Sequence, residues 1–82
     1  MFHEGDICKY NYELDQISDT EPGFIRDYYK SKDGKYCMVI SEEGDEFIPV
    51  FFLDEDVQEL VTGHYSSAEV KPQSLTLRIR SK

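Results

Sequence analysis

Three runs rich in aromatic and β-branched residues occupy the middle of this chain: 23–30, 35–41 and 46–53. Two short polar connections separate them, one carrying Asp33-Gly34 and the other Gly44. Glycine tolerates the positive φ that a tight turn requires, and Asp-Gly between two such runs is a strong hairpin signal. The pattern therefore predicts a meander of three antiparallel strands.

Alternation predicts one strand before this meander and another near the end of the chain. Residues 6–12 form a strand-like run, and a polar loop follows over 13–22. Residues 74–80 alternate without a fault, which indicates a half-exposed strand with a basic outer face. In these two strands we expect Cys8, Tyr10 and Tyr12 on one face, Leu75, Leu77 and Ile79 inward, and Thr76, Arg78 and Arg80 outward.

Residues 54–63 carry the signals of a short helix. Asp54 can cap it, acids at 55 and 56 suit the positive end of the helix dipole, and Gly63 can end it. One or two helical turns fit, although the pattern over 57–61 leaves helix and strand both open.

These elements predict a single all-β domain over 1–82, with one short helical turn. The expected architecture is a small twisted antiparallel sheet, or a partly open barrel, of about five strands. Its core covers 4–62, a loop covers 63–73, and the C-terminal strand covers 74–80. At 82 residues, folding buries only about 60–65% of the chain's surface, so we expect modest stability.

The arrangement resembles the SH3-like small barrels, including Tudor-type and KOW-type modules. The resemblance covers residues 4–62. It is carried by 5–10 as a first strand, 23–29 as a second, and 56–60 as a short helical turn before the last strand.

The charge is concentrated in one internal segment. No basic side chain lies between Lys35 and Lys71, whereas the rest of the chain is nearly neutral, so this segment accounts for the net charge of −8. Such a field attracts cationic partners and repels nucleic acid and anionic lipid. The nine carboxylates are Glu42, Glu43, Asp45, Glu46, Asp54, Glu55, Asp56, Glu59 and Glu69.

The first eight of these carboxylates, within 42–59, are our candidate partner-binding surface. Ordered carboxylates can imitate the phosphate backbone of DNA, which carries one charge per ~1.7 Å of axis. In size and charge the chain is similar to small acidic DNA-mimic inhibitors that phages make against host proteins. The expected function is to block a basic nucleic-acid-binding protein; the alternative is a solvated face that keeps the protein soluble.

Tyrosines provide a second candidate site. Tyr10, Tyr12, Tyr28 and Tyr29 lie on neighbouring predicted strands, and with nearby carboxylates they can form a cage for a plain or methylated lysine. A Tudor-like module that binds basic peptides is the alternative function. The structural interpretation is that these rings are core aromatics of a sheet without Trp.

The strand over 48–53 has large apolar groups on both faces, which predicts burial against a second surface. That surface is the C-terminal strand or a second copy of the protein. Phe51, Phe52, Arg78 and Arg80 are therefore candidate residues for an oligomer interface, and a structural or assembly role is the third alternative.

Catalysis and metal binding find little support. His3, Cys8, Cys37 and His64 lack the close paired spacing of a zinc site, and no nucleophile has a recognisable base beside it. We therefore expect no enzyme, metal or cofactor. The absence of CxxC and of a long apolar run favours a reduced, cytoplasmic protein without a membrane span, in a host cell if it is viral.

Overall fold

The computed structural model describes residues 2–42, 46–55, 58, 62–63 and 67–81. Within them, five strands form one antiparallel sheet in the order β4-β3-β2-β1-β5. The all-β class with about five antiparallel strands is therefore confirmed. The strands are β1 (Ile7–Tyr10), β2 (Tyr36–Val39), β3 (Ile48–Phe52), β4 (Ala68–Val70) and β5 (Leu75–Ile79).

Among the elements whose bounds the described residues give, two are α-helices and one is a 3-10 turn. Helix α1 (Tyr12–Asp15) follows β1, and helix α2 (Gly23–Ser31) precedes β2. A 3-10 turn, Pro72–Ser74, leads directly into β5. The side chain of Asn11 begins α1 by accepting a hydrogen bond from the Leu14 N–H, so a helical turn occupies the start of the predicted loop over 13–22.

The core lies on one face of the sheet, where the register aligns alternate residues. Cys8 lies opposite Cys37 and Leu77, while Cys37 also lies opposite Phe52. Apolar burial on this face stabilises the fold, and Phe51 is buried on the opposite face of β3. The buried cluster is Cys8, Tyr10, Cys37, Val39, Val50, Phe52, Val70 and Leu75.

Helix α2 replaces the strand predicted over 23–30, and that prediction is wrong. The residues that suggested a strand are spaced i, i+4: Phe24 with Tyr28, and Ile25 with Tyr29. Such pairs share one helical face, and the extended Pro22 just before them suits a helix start. Residues 31–34 therefore form the end of α2 and the turn after it, and not the predicted hairpin turn.

The C-terminal strand is confirmed, but its predicted alternation fails at Ile79. One extra residue in β5 shifts the register between Ile7 and Cys8, so that Ile79 lies opposite Ile7 on the outer face. A bulge of this kind reverses the side on which the following residues lie. Ile79 is consequently 64% exposed.

The end of the predicted core also differs. Strand β4 lies inside the stretch 63–73 that was predicted as loop, and the short helical turn before the last strand is Pro72–Ser74. Of the helix predicted over 54–63, Gln58 and Thr62 are helical, Asp54, Glu55 and Gly63 are not, and the other five positions lie outside the described residues. In the part of the chain that is described, no helix is long and apolar enough to cross a bilayer.

Asp6 joins the two ends of the chain. Its fully buried carboxylate accepts hydrogen bonds from the N–H groups of His3 (2.8 Å) and Ser81 (2.6 Å), and it pairs with Arg80 Nη1 at 3.0 Å. Burial alone would raise the pKa of Asp6, but these donors outweigh it and hold the pKa below 3.8. The pair therefore fixes Arg80 beside β1, away from β3.

Gly5 allows this junction to close, which gives a first prediction. Its φ is +89°, and a Cβ there would lie 2.7 Å from Ser81 Oγ. Gly5→Ala should lower the free energy of unfolding by about 1–3 kcal/mol, because alanine is strained at this φ. Urea denaturation measures the change.

Gly23→Ala is the matched control. Gly23 begins α2, and a Cβ there meets nothing within 4 Å. Alanine at this position should raise stability by about 0.4–1 kcal/mol, since it restricts the unfolded chain. Equal effects of the two substitutions would contradict the role given to Gly5.

Candidate functional site

The predicted acidic surface divides into two groups at opposite ends of β3. Glu42 and Glu46 lie before the strand and are exposed, whereas Asp54 and Glu55 lie after it. At ~3.3 Å per residue, β3 keeps the two groups at least about 13 Å apart. The other four predicted contacts, Glu43, Asp45, Asp56 and Glu59, lie outside the described residues.

The group after β3 is already paired with a cation of the same chain. Lys32 Nζ lies 3.1 Å from both carboxylate oxygens of Asp54 and 3.2 Å from Glu55 Oε1. Lys32 is only 8% exposed. Although the segment from 36 to 70 contains no base, the fold brings one to it from the end of α2.

Aromatic rings complete the surroundings of Lys32. Its ammonium group lies 5.2 Å from the centroid of the Tyr28 ring and 5.6 Å from that of Phe52. Burial lowers the pKa of Lys32, but hydrogen bonds and charge from Asp54 and Glu55 outweigh it and raise the pKa above 10.5. Lys32 therefore remains charged at neutral pH inside an aromatic and acidic cage.

Three of the four candidate tyrosines belong to one ring cluster beside this cage. Ring centroids are 5.2 Å apart for Tyr28 and Tyr29, and 6.3 Å apart for Tyr29 and Tyr10. The Tyr28 hydroxyl donates to Glu55 at 2.7 Å. Tyr12 is half-buried against the core. Tyr10, Tyr28 and Tyr29 thus lie together, although helix α2 and not a strand supplies two of them, and Tyr28 is the one that contacts Lys32.

Tyr10 and Asp15 form a buried hydrogen bond that sequence analysis missed. The Tyr10 hydroxyl donates to Asp15 Oδ2 at 2.5 Å, and Asp15 Oδ1 accepts from the Lys71 N–H at 2.8 Å. Burial and the adjacent carboxylate both raise the pKa of Tyr10. In the sequence Asp15 is one acid of a predicted polar loop. Its two hydrogen-bond donors, the Tyr10 hydroxyl and the Lys71 N–H, are evident only in the folded structure.

The candidate oligomer residues have different surroundings from those expected. Phe51 and Phe52 are each 2% exposed within one chain, and β3 lies between β2 and β4, not beside β5. Arg80 pairs with Asp6, while Arg78 is exposed. The second surface expected for the 48–53 strand is therefore not the C-terminal strand, and neither phenylalanine is accessible to a second copy.

Cys8 and Cys37 are direct neighbours across β1 and β2, and both are free and buried. Burial raises the pKa of the Cys8 thiol to about 11 and that of the Cys37 thiol to about 12. Their separation in sequence gave no sign of this pairing. Across the positions that the structure describes, no group of three or more His, Cys, Asp or Glu side chains is arranged to hold a metal ion.

Comparisons with protein-family models, with curated proteins and with solved structures give no significant match. The functional proposal therefore depends on the contacts of this chain's own residues.

The substitution Lys32→Met tests how much the buried ammonium group of Lys32 stabilises the fold. The substitution keeps the aliphatic stem but leaves Asp54 and Glu55 without a cation, so the free energy of unfolding should fall by about 1–3 kcal/mol. This range is below the cost for fully buried pairs because both carboxylates are about one-third exposed. Lys30→Met, at an exposed position of α2, should change stability by less than about 0.5 kcal/mol.

The difference in the free energy of unfolding between wild type and Lys32→Met should depend on pH. Because folding raises the pKa of Lys32, its contribution is fully present below pH 10.5 and is lost as the pH rises through the higher folded value. The difference between wild type and Lys32→Met should therefore shrink only in strongly alkaline solution. A difference that is constant through that range would contradict the pairing.

Thiol reactivity tests the burial of the two cysteines. The thiolate is the reactive form, and both high pKa values and burial suppress it. At pH 8 a disulfide reagent such as DTNB should label both cysteines rapidly in denaturant and very slowly in the native protein. Rapid native labelling would show that this part of the core opens readily.

Proposed function

We propose that this chain is a non-enzymatic binding protein whose acidic connection between β2 and β3 engages a basic partner. The observation that carries the proposal is that the carboxylates on both sides of this connection, Glu42 and Glu46, have exposed side chains. Glu42 lines a surface pocket together with Arg80, but Arg80 forms an ion pair with the buried carboxylate of Asp6. Glu46 lies next to β3, and β5 is at the edge of the sheet on the other side of β2 and β1.

The contact surface is narrower than the whole predicted segment. Asp54 and Glu55 bind Lys32, so they contribute less net charge to a partner. Glu42 keeps an exposed carboxylate, although its Oε1 lies 2.6 Å from His3 Nδ1. We therefore assign the contact to Glu42 and Glu46, together with the intervening Glu43 and Asp45 of the sequence.

Competition with nucleic acid is the proposed mechanism. A cluster of carboxylates on a short connection presents several negative charges together, as a phosphate backbone does. Bound to the basic face of a DNA- or RNA-binding protein, it excludes the nucleic acid and inhibits that protein. The free thiols of Cys8 and Cys37, adjacent across two strands, support action in a reducing cytoplasm.

A Tudor-like, SH3-like interaction module is the second candidate. Two observations favour it: a short 3-10 turn precedes the last strand, and Tyr28, Phe52, Asp54 and Glu55 together hold an ammonium group. In this alternative a lysine of a partner must displace Lys32. That competition makes the cage the weaker candidate.

Charge reversal on the β2–β3 connection tests the first proposal. The double variant E42K/E46K should lose capture of the partner from source-cell extract at low salt, because two attractive contacts become repulsive. The wild-type protein should release its partner at high salt and also when DNA is added as competitor. Affinity capture followed by protein identification measures both effects.

E13K/D27K is the matched control, since it makes the same change in net charge at exposed positions on α1 and α2. It should retain most of the captured partner. Equal loss in both double variants would indicate attraction by net charge alone. Retention in E42K/E46K, or a partner that DNA does not displace, would exclude the proposed competitive mechanism at this connection.

A further inference from the structure

A groove lies beside the β2–β3 connection, between the polypeptide that follows α1, helix α2 and the sheet. Its volume is about 310 Å³, which is at the small end of ligand-binding cavities. Phe47 forms one wall just before β3, while Ile25 and Tyr29 of α2 form another. A groove of this size suits a single long side chain better than a folded segment.

The walls are largely apolar and retain accessible surface. Phe47 is 40% exposed, and Ile17, Ile25 and Tyr29 are half-buried. The Tyr29 hydroxyl contacts the backbone of Glu69, which holds its ring between α2 and β4. These side chains can cover the aliphatic part of a ligand.

Carboxylates provide the charge of the groove. Glu21 and Glu69 line it, both are exposed, and neither side chain is hydrogen-bonded or ion-paired to any residue that the structure describes. Lys71 also lines the groove, but its Nζ donates to the Gln16 carbonyl at 3.1 Å. The buried Asp15 is already bound to two donors. Three carboxylates and one ammonium group line the groove, so its net charge is negative.

The geometry points to this groove as the binding site for one arginine side chain presented by a basic segment of a partner protein. The aliphatic stem lies on Ile17, Ile25 and Phe47, and the guanidinium group reaches Glu21 and Glu69. Arginine is favoured over lysine because its planar fork donates to two carboxylates at once and stacks on an aromatic ring.

The groove extends the proposed surface, because Phe47 directly follows Glu46 in the chain. One basic segment can therefore contact the β2–β3 connection and place an arginine in the groove. The inference depends on the proposed function only for the basic character of the partner. Binding in the groove itself requires no nucleic-acid-binding protein, so the two proposals can fail separately.

Titration of the isotope-labelled full chain with a short peptide tests the site. The probe is an acetylated, amidated Gly-Ser-Arg-Ser-Gly peptide, compared with the same peptide containing citrulline, which keeps the shape of arginine but not its charge. Amide shifts should concentrate at residues 16–25 and 69–71. Affinity should fall about fivefold or more with citrulline, and to a smaller extent with lysine.

The variant E21Q/E69Q should weaken binding of the arginine peptide about fivefold with an unchanged fold, whereas the control E13Q/D27N should leave it unaffected. Three results would overturn the inference: no shifts in the groove, equal shifts with citrulline, or equal affinity for both double variants. Shifts confined to Glu42 and Glu46 would overturn the groove site and leave the proposed function standing.

Discussion

The hydrogen bond between the Tyr10 hydroxyl and Asp15 connects the core of the sheet to α1 and to the segment that leads into β5. Tyr10 is 1% exposed and its ring contacts Phe52 and Tyr29, so its hydroxyl requires a buried acceptor. Asp15 supplies that acceptor and also receives the Lys71 N–H, which joins segments 56 residues apart. This one carboxylate therefore positions α1, the start of the 3-10 turn and the floor of the groove together.

Local pattern predicts most of the sheet but not helix α2. Strands β1, β2, β3 and β5 follow from alternation and turn residues, which are local signals. For 23–30, aromatic and β-branched residues favour a strand by composition while their i, i+4 spacing favours a helix. Tertiary packing decides the conflict, because only the helix places Tyr28 and Tyr29 against Phe52 and Tyr10.

The sequence predicts the negative charge of the candidate site but not the ion pairs that form within it. A count of charges along the chain identifies an acidic segment, yet it cannot show that Lys32 folds back onto Asp54 and Glu55. The error over α2 also hid this contact. Four residues separate Lys32 from Tyr28, so one helical turn brings them together, whereas an extended chain would place them about 13 Å apart. The groove was missed because its walls come from four separate segments of the chain.

The β4 edge of the sheet favours recognition through side chains over recognition through the backbone. Strand β4 ends the described sheet on one side, and its outward N–H and C=O at Glu69 are both bound by the Tyr29 hydroxyl, at 3.3 and 3.2 Å. A peptide adding as a further strand would have to break these bonds. Because Tyr29 also lines the groove, the side chain that protects the edge forms part of the surface that we propose accepts an arginine.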